Sequence, residues 1–550
     1  MEERIIAIVP ARGGSKGISR KNVRMLAGKP LIAHIVETAS SSEYFERIIV
    51  SSEDSEILET AKRFGAETIR RPKRLSADDV PLDPVIYHVL QRIEKKGYYP
   101  TIVVTLQPTS PTLRRETIDE TVKKLIEQKF DTVISVKDAT HLYWIEKEGK
   151  FVPLFRERKN RQFLPRILKE TGSIIASRRD VISETNRIGK NISFVHISPE
   201  EAIDIDSPRE WWLTEKILNQ KKIVFRVDGK QEIGLGHVYR ALTLAQRIID
   251  HQVTFLMNSR NALGISVVKQ QHQKIVTFTD DPLPIIDTLN PDIIINDILD
   301  TDTNYMQALK RKGKFVVNFE DLGEGAQFAN LVINALYDSP IPYTNHLWGS
   351  DYVCLRDEFL SKEKKALRSK VKKILVTFGG VDEQNLTCKV LSALNRCNTD
   401  SKVTVILGLG YMHHSSLIDF LEKTQFKCQV NKNVRHISDY MERSDLVFTS
   451  CGRTVYEVAA IGTPCITLAQ NQREMGHLFA NINNGIINLG LGETVNEDKI
   501  IEVIRDLSKK PQLRTEMRKK MERHDLRSGI DRVLKAIFDN YEQFRENHHA

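Results

Sequence analysis

Cysteine is scarce in this chain of 550 residues: there are six, Cys354, Cys388, Cys397, Cys428, Cys451 and Cys465, all in the second half. No CxxC pair occurs among them, which excludes zinc-ribbon and dithiol redox chemistry and leaves reduced, mostly buried thiols as the expectation. Apolar runs of membrane-spanning length are also missing. The start, MEERIIAIV, has no basic region, long apolar segment or small-residue cleavage site, so a cytoplasmic protein with no membrane partner is expected. There is no Gly/Ser-rich linker, low-complexity tract or internal repeat. A Walker A loop is absent too, because Lys16 is followed by glycine and the upstream glycine spacing differs, which disfavours a P-loop ATPase. The formal charge of +9 and pI near 9.0 come with no recognised nucleic-acid module. That mild excess of base suits acidic small-molecule substrates, and no nucleic-acid partner is expected.

A chain of this length exceeds one hydrophobic core, so several domains are expected. Residues 1–220 alternate strand-like runs (RIIVSSED, TIVVTLQPTSP, DTVISVKDA, GSIIAS) with helical patterns such as SEILETAKRFGA and RETIDETVKKLIEQ. The pattern predicts a doubly wound α/β sheet with ligands at the C-terminal ends of its strands. The richest stretch runs from Ile5 to Val23. A buried strand stops at Pro10; Gly13, Gly14 and Gly17 let backbone N–H groups approach a ligand, and Arg12, Lys16, Arg20 and Lys21 supply charge. A polyphosphate fits that combination. Farther on, RRPKRLSADD carries Arg70, Arg71, Lys73 and Arg74, while LQPTSPTLR places Gln107, Thr109 and Ser110 where a strand leaves the sheet. Read alone, the first is a solvated basic face and the second a stiff turn. In AIDIDSPREWW, Asp204 and Asp206 stand two apart in a strand-like run and project to one face, where a cation between them relieves their repulsion. Mg²⁺ suits such a pair, completing its shell with phosphate oxygens and water. Ser207, Pro208 and Glu210 read as N-cap, N1 and N3 of the helix that follows.

VPARGGSKGISRKN resembles the signature of the acylneuraminate cytidylyltransferases, which make CMP-activated nonulosonic acids. The resemblance implies CTP as co-substrate and nucleotide roles for Arg12, Gly13, Gly14, Ser15, Lys16 and Asn22. It also implies Lys21 and Arg12 at the reacting phosphate, Arg71 in the nucleotide pocket, Gln107, Arg161 and Gln162 near the acceptor sugar, and Asp204 and Asp206 as the Mg²⁺ ligands. Such enzymes commonly dimerise, so a homodimer through this domain is expected. The family commonly has Asn-Gly where this chain has Thr171-Gly172, which leaves the acceptor open among pseudaminic, legionaminic and sialic acids.

A new strand, KKIVFRVDG, begins after Gln220, and two Rossmann-like patterns follow on either side of SKEKKALRSKVKK. The expected architecture is therefore a Rossmann-like nucleotidyltransferase domain (1–220) followed by a two-lobed GT-B-like domain (221–365 and 366–515), with a charged helical segment (516–550) packing back on a lobe. Gly234 and Gly236 open a helix N-terminus suited to phosphate, and His237 is placed to activate a water. RVDGKQEIGLGHVYRALTLA, YVCLRDEF, FGGVDEQNLT, SCGRTVYEVAAIGTP and QNQ resemble the UDP-sugar hydrolase of pseudaminic acid biosynthesis and its relatives. That resemblance implies a catalytic His237 and a UDP side lined by Gly379, Gly380, Thr454, Glu457, Asn471 and Gln472. Asp228 and Arg240 read equally as a salt-bridged support for the His237 loop or as substrate contacts. A GT-B glycosyltransferase and an inactive nucleotide-sugar-binding module are the rivals to hydrolysis. The two implied steps are not consecutive, so a separate nonulosonate synthase is an expected partner.

Overall fold

A computed structural model describes residues 3–14, 17–230, 234–338, 345–363, 365–398 and 400–549. The chain divides into two compact units, Met1–Gln220 and Lys221–Ala550.

The first unit is built on a seven-stranded sheet in the spatial order Ile192–His196, Thr132–Asp138, Leu168–Arg178, Ile102–Leu106, Ile5–Pro10, Arg47–Ser52, Glu67–Arg70. Leu168–Arg178 runs antiparallel to both neighbours and the other pairs are parallel. IIAIVP is buried at every position because helices cover both faces of its sheet, as a central parallel strand requires. From Ile5–Pro10 the chain moves first to one side, to Arg47–Ser52, and later to the other, to Ile102–Leu106. The loops leaving Ile5–Pro10 and Ile102–Leu106 therefore part at this reversal and leave a crevice.

The second unit repeats this logic twice with wholly parallel sheets. Its first lobe orders Ile275–Phe278, Gln252–Asn258, Lys222–Val227, Ile293–Asp297, Phe315–Phe319, Leu331–Asn334, His346–Trp348. The second lobe orders Cys428–Lys432, Lys402–Leu407, Lys373–Val376, Leu446–Thr449, Cys465–Ala469, Ile486–Leu491. Each has its reversal beside its first strand, between Lys222–Val227 and Ile293–Asp297 in one and between Lys373–Val376 and Leu446–Thr449 in the other. This is a mixed α/β protein: a nucleotidyltransferase-type sheet followed by the paired Rossmann sheets of a GT-B-like body.

The last segment is more deeply packed than its charge suggests. Met517 and Met521 join the core of the second lobe, whereas Ile530, Val533, Ile537 and Tyr541 of the helix Gly529–His549 return to the first lobe's core. Their spacing of three or four keeps one apolar stripe on the sheet and leaves the charges outside.

Candidate functional site

In the first unit the crevice is a cleft of about 530 Å³ whose lining includes Arg12, Gly17, Lys21, Asn22, Arg71, Gln107, Thr109, Asp204 and Asp206. Segments far apart in the sequence thus meet. The Asp204–Asp206 stretch is not a strand, because it pairs with no ladder, but its backbone alternates as one: both aspartates are exposed and Ile205 between them is fully buried. Ile205 is held by its N–H to the Thr109 carbonyl at 2.9 Å, and the predicted capping box of Ser207 and Glu210 then starts the helix Pro208–Leu218.

Lys21 is nearly buried, and its Nζ donates to the Ile205 carbonyl and to Asp206 Oδ1, the latter at 3.0 Å. Gly17 touches the same segment, and a Cβ there would lie 1.9 Å from the Asp206 carbonyl oxygen, so only glycine lets the loop close on it. Asp204 keeps surface open to solvent, yet desolvation of its carboxyl against the cleft wall, more than the neighbouring charge of Asp206, raises it. A cation between the two carboxylates would offset both effects, so the pair fits Mg²⁺. Among the described residues no group of three or more His, Cys, Asp or Glu is placed to hold a metal ion, so such an ion would draw its remaining ligands from substrate and water.

The three described cations of the loop separate. Arg12 lines the cleft and pairs with Asp78 at 2.7 Å. Arg20 turns instead to Asp54 and Glu56. Ser15 and Lys16 lie outside the described residues. Gly13 and Gly14 are not brought into the lining, and the Gly13 N–H, expected to face phosphate, donates to Glu53 Oε1 at 2.8 Å. Arg71 is on the cleft wall, where it donates to Ser51 O, Ser76 Oγ and Glu53 Oε2. Asn22 donates to the Arg12 carbonyl, while its buried Oδ1 has no partner among the described residues. Arg161 and Gln162 stand in the exposed 3-10 turn Arg161–Phe163, away from the lining. The Thr171 hydroxyl, where the family has asparagine, is engaged by Ser135 Oγ at 2.7 Å.

In the second unit a cleft of about 420 Å³ is lined by residues of both lobes, among them Gly234, Gly236, His237, Glu320, Gly379, Gly380, Arg453, Thr454, Asn471 and Glu474. An adjoining pocket of about 170 Å³ shares Gly236, Gly379, Gly380, Arg453 and Thr454 and adds Tyr239, Ile406, Val434, Ile437 and Glu457. His237 lies on the first turn of the helix Gly236–Arg247. Its Nδ1 shares a 2.7 Å hydrogen bond with Asp297 Oδ1, which leaves Nε2 as the ring nitrogen for the cleft. Asp297 ends the buried strand Ile293–Asp297 and also accepts from Arg240 Nε and Nη2 at 2.8 and 2.6 Å. Burial alone would raise the Asp297 carboxyl, but Arg240 outweighs it and holds the group below the usual carboxylate range. Arg240 reaches on to Glu320, whose carboxylate accepts the N–H groups of Ala335 and Leu336.

Arg240 is therefore a support for His237, but through Asp297 and not Asp228, which accepts from Asn261 instead. Glu457 is neutralised by Arg356 at 3.0 Å. Asn471 uses its side-chain oxygen to cap the helix Gln472–Met475. Gln472 is exposed and outside the lining; Gln470 faces the cleft, bonded to Phe378 O, Val381 O and the Glu383 N–H. Glu53, Asp297, Glu320 and Gln470 are the residues that sequence reasoning missed. Their shared signal is a polar residue at the C-terminal end of a buried strand-like run, as in VSSED, IIIND and FVVNFE.

The cytidylyltransferase family model matches residues 6–198. The CMP-N,N'-diacetyllegionaminic acid synthase of Legionella pneumophila is 34% identical over 235 residues, 40% of this chain and 100% of that one. An uncharacterized protein of Methanocaldococcus jannaschii is 30% identical over 272 residues, 46% of this chain but only 56% of that relative's own length. The spore coat polysaccharide biosynthesis protein SpsG of Bacillus subtilis is 28% identical over 341 residues, 58% of this chain and 97% of that one. A match of that extent is longer than the first unit, so it includes residues of the second. No helix among the described residues is long and apolar enough to cross a membrane.

Proposed function

Because the chain belongs to the cytidylyltransferase family, we propose that its first unit transfers CMP from CTP to a nonulosonic acid with release of pyrophosphate. The observation that carries this reading is the meeting of Lys21 with Asp206 in a cleft that also holds Arg12 and Arg71. A hydroxyl oxygen of the acid attacks the α-phosphorus and gives up its proton to water, the bond from the α-phosphorus to the oxygen bridging the β-phosphate breaks, and Lys21 faces the negative charge that builds as pyrophosphate leaves. Asp204 and Asp206 would hold Mg²⁺, which neutralises phosphate charge and orients the leaving group. Gln107, beside Gly172, is assigned to the acceptor end of the cleft. The name of the fully covered Legionella relative supports a diacetamido nine-carbon acid as acceptor. Trp144, Phe151, Leu154 and Phe163 are more than half exposed on and beside a short hairpin, which supports a homodimer formed through this unit. Pyrophosphate release by the purified chain, with CTP and a panel of nonulosonic acids, tests the reading; no release with any acid overturns it.

The second unit we read as a hydrolase of a UDP-linked diacetamido-trideoxyhexose. His237 Nε2 takes a proton from water as that water attacks the anomeric carbon, and UDP leaves. The fixed Nδ1 contact with Asp297 supports this role, since it orients the ring and balances the imidazolium that forms. Turnover in ¹⁸O-water without an acceptor is the test: label in the free hexose supports hydrolysis. Turnover that waits for an acceptor glycan favours a glycosyltransferase. A nonulosonate synthase acting between the two steps is the implied partner.

A further inference from the structure

We infer that Glu53 is a positioning residue for the nucleotide cleft of the first unit, a role that rests on the CTP reading above. Glu53 follows the strand Arg47–Ser52, and its side chain is 15% exposed. One of its oxygens, Oε1, accepts the Gly13 N–H at 2.8 Å. The other, Oε2, accepts from Ser76 Oγ at 2.6 Å and from Arg71 Nη2 at 3.2 Å. A single carboxylate thus ties together the glycine loop, the 3-10 turn Lys73–Ser76 and a wall arginine. Ser76 and Arg71 line the cleft, as does Arg12, whose peptide carries the Gly13 N–H. Glu53 itself does not line it.

The next residue completes the clasp. Asp54 Oδ2 lies 2.6 Å from where a Gly13 Cβ would stand and accepts from Arg20 Nη1 at 2.5 Å, so the acid pair holds both ends of the basic loop. Burial pushes the Glu53 carboxyl up, but the bonds from Ser76 and Gly13 and the Arg71 charge together hold it below the usual range. It is therefore an anion at neutral pH, matched to a buried guanidinium. A bare carboxylate behind a triphosphate site would weaken binding; one matched by Arg71 and saturated with donors instead sets the shape of the wall.

The test uses the full chain. CTP is titrated calorimetrically without acceptor, and CMP transfer is measured at varied CTP, for wild type, Glu53→Ala and Glu53→Gln. Loss of a charge-assisted hydrogen bond corresponds to about a tenfold to hundredfold loss in affinity. Glu53→Ala is expected to raise Kd and KM for CTP by that much, with kcat within about threefold of wild type. Glu53→Gln, which keeps an acceptor but not the charge, is expected to fall between. A melting temperature for each variant separates loss of fold from loss of shape. If the wild type binds no CTP, the nucleotide reading fails. If the wild type binds and either folded variant binds equally well or more tightly, the positioning role alone is overturned.

Discussion

His237 and Asp297 face each other across the strand reversal of the second unit's first lobe, with Nδ1 and Oδ1 2.7 Å apart. The histidine comes from the helix after the first strand and the aspartate from the end of the strand beside it, so the fold itself brings together residues 60 positions apart. Arg240, on the same helix as His237, holds the other face of the carboxylate. The dyad is in this way fixed from two sides before any substrate arrives.

His237→Ala is expected to lower UDP release by about 10²- to 10⁴-fold, the usual worth of a positioned base. Asp297→Asn should lower it comparably by freeing the ring, and should also destabilise the second unit, because Arg240 loses its main anionic partner. CMP transfer should persist in both. A discontinuous assay for UDP, run beside a pyrophosphate assay on the same samples, reads both outcomes.

Lys21→Ala should slow CMP transfer by about 10²- to 10³-fold while weakening CTP binding less, since its charge is most needed as pyrophosphate departs. Asp204→Asn and Asp206→Asn should each raise the Mg²⁺ concentration needed for half-maximal transfer. Wild-type transfer by Asp204→Asn at limiting Mg²⁺ would remove that carboxylate from the metal site.

Gly17→Ala tests how the loop closes. The added Cβ would meet the backbone oxygen of Asp206 at 1.9 Å, and a backbone atom cannot swing aside as a flexible side chain would. The loop or the Asp204–Asp206 segment must shift, at a cost of about 1–3 kcal/mol in the first unit's stability, and CMP transfer should fall with it. Among the described residues Gly14 has no atom within 4 Å of the corresponding position, so Gly14→Ala should leave the melting temperature unchanged. Equal melting of the two variants would show that the loop does not rest on Asp206.

That each cleft opens at the C-terminal ends of parallel strands was legible in the sequence, because alternation of apolar runs with amphipathic segments announces a parallel sheet and glycine-rich turns mark where the chain leaves it. The meeting of Lys21 with Asp206 was legible only through the resemblance: spacing gave two carboxylates on one face, and nothing local said which cation they would face. Asp204–Asp206 also looked like a strand because it alternates, although no neighbour offers it a ladder. Arg20 and Gly13 misled for one reason, since their charge and N–H could not be seen from sequence to be taken up by Asp54 and Glu53. Arg240 read equally as support for His237 or as a substrate contact, and its partner lay 57 residues away at the end of another strand. Pairings of that kind depend on strand order, which periodicity does not encode.

His477 should make the second unit lose stability on mild acidification. Its imidazole is buried, its Nδ1 accepts the N–H groups of Phe479 and Ala480, and burial pushes its pKa down to about 4. The neutral ring is thus the form that fits. An unfolded chain protonates a histidine near pH 6.5, so the stabilisation is fully present above that pH and is lost as pH falls toward about 4. Across that window the loss amounts to about 3 kcal/mol. His346, whose pKa burial also lowers to about 4, adds to the same slope. Denaturant melts of wild type and His477→Asn, compared between neutral pH and pH near 4.5, read the effect. The asparagine oxygen can accept the same N–H groups and does not titrate, so the variant should show a shallower pH dependence than the wild type. Identical slopes in the two proteins would mean that His477 is not buried as a neutral acceptor.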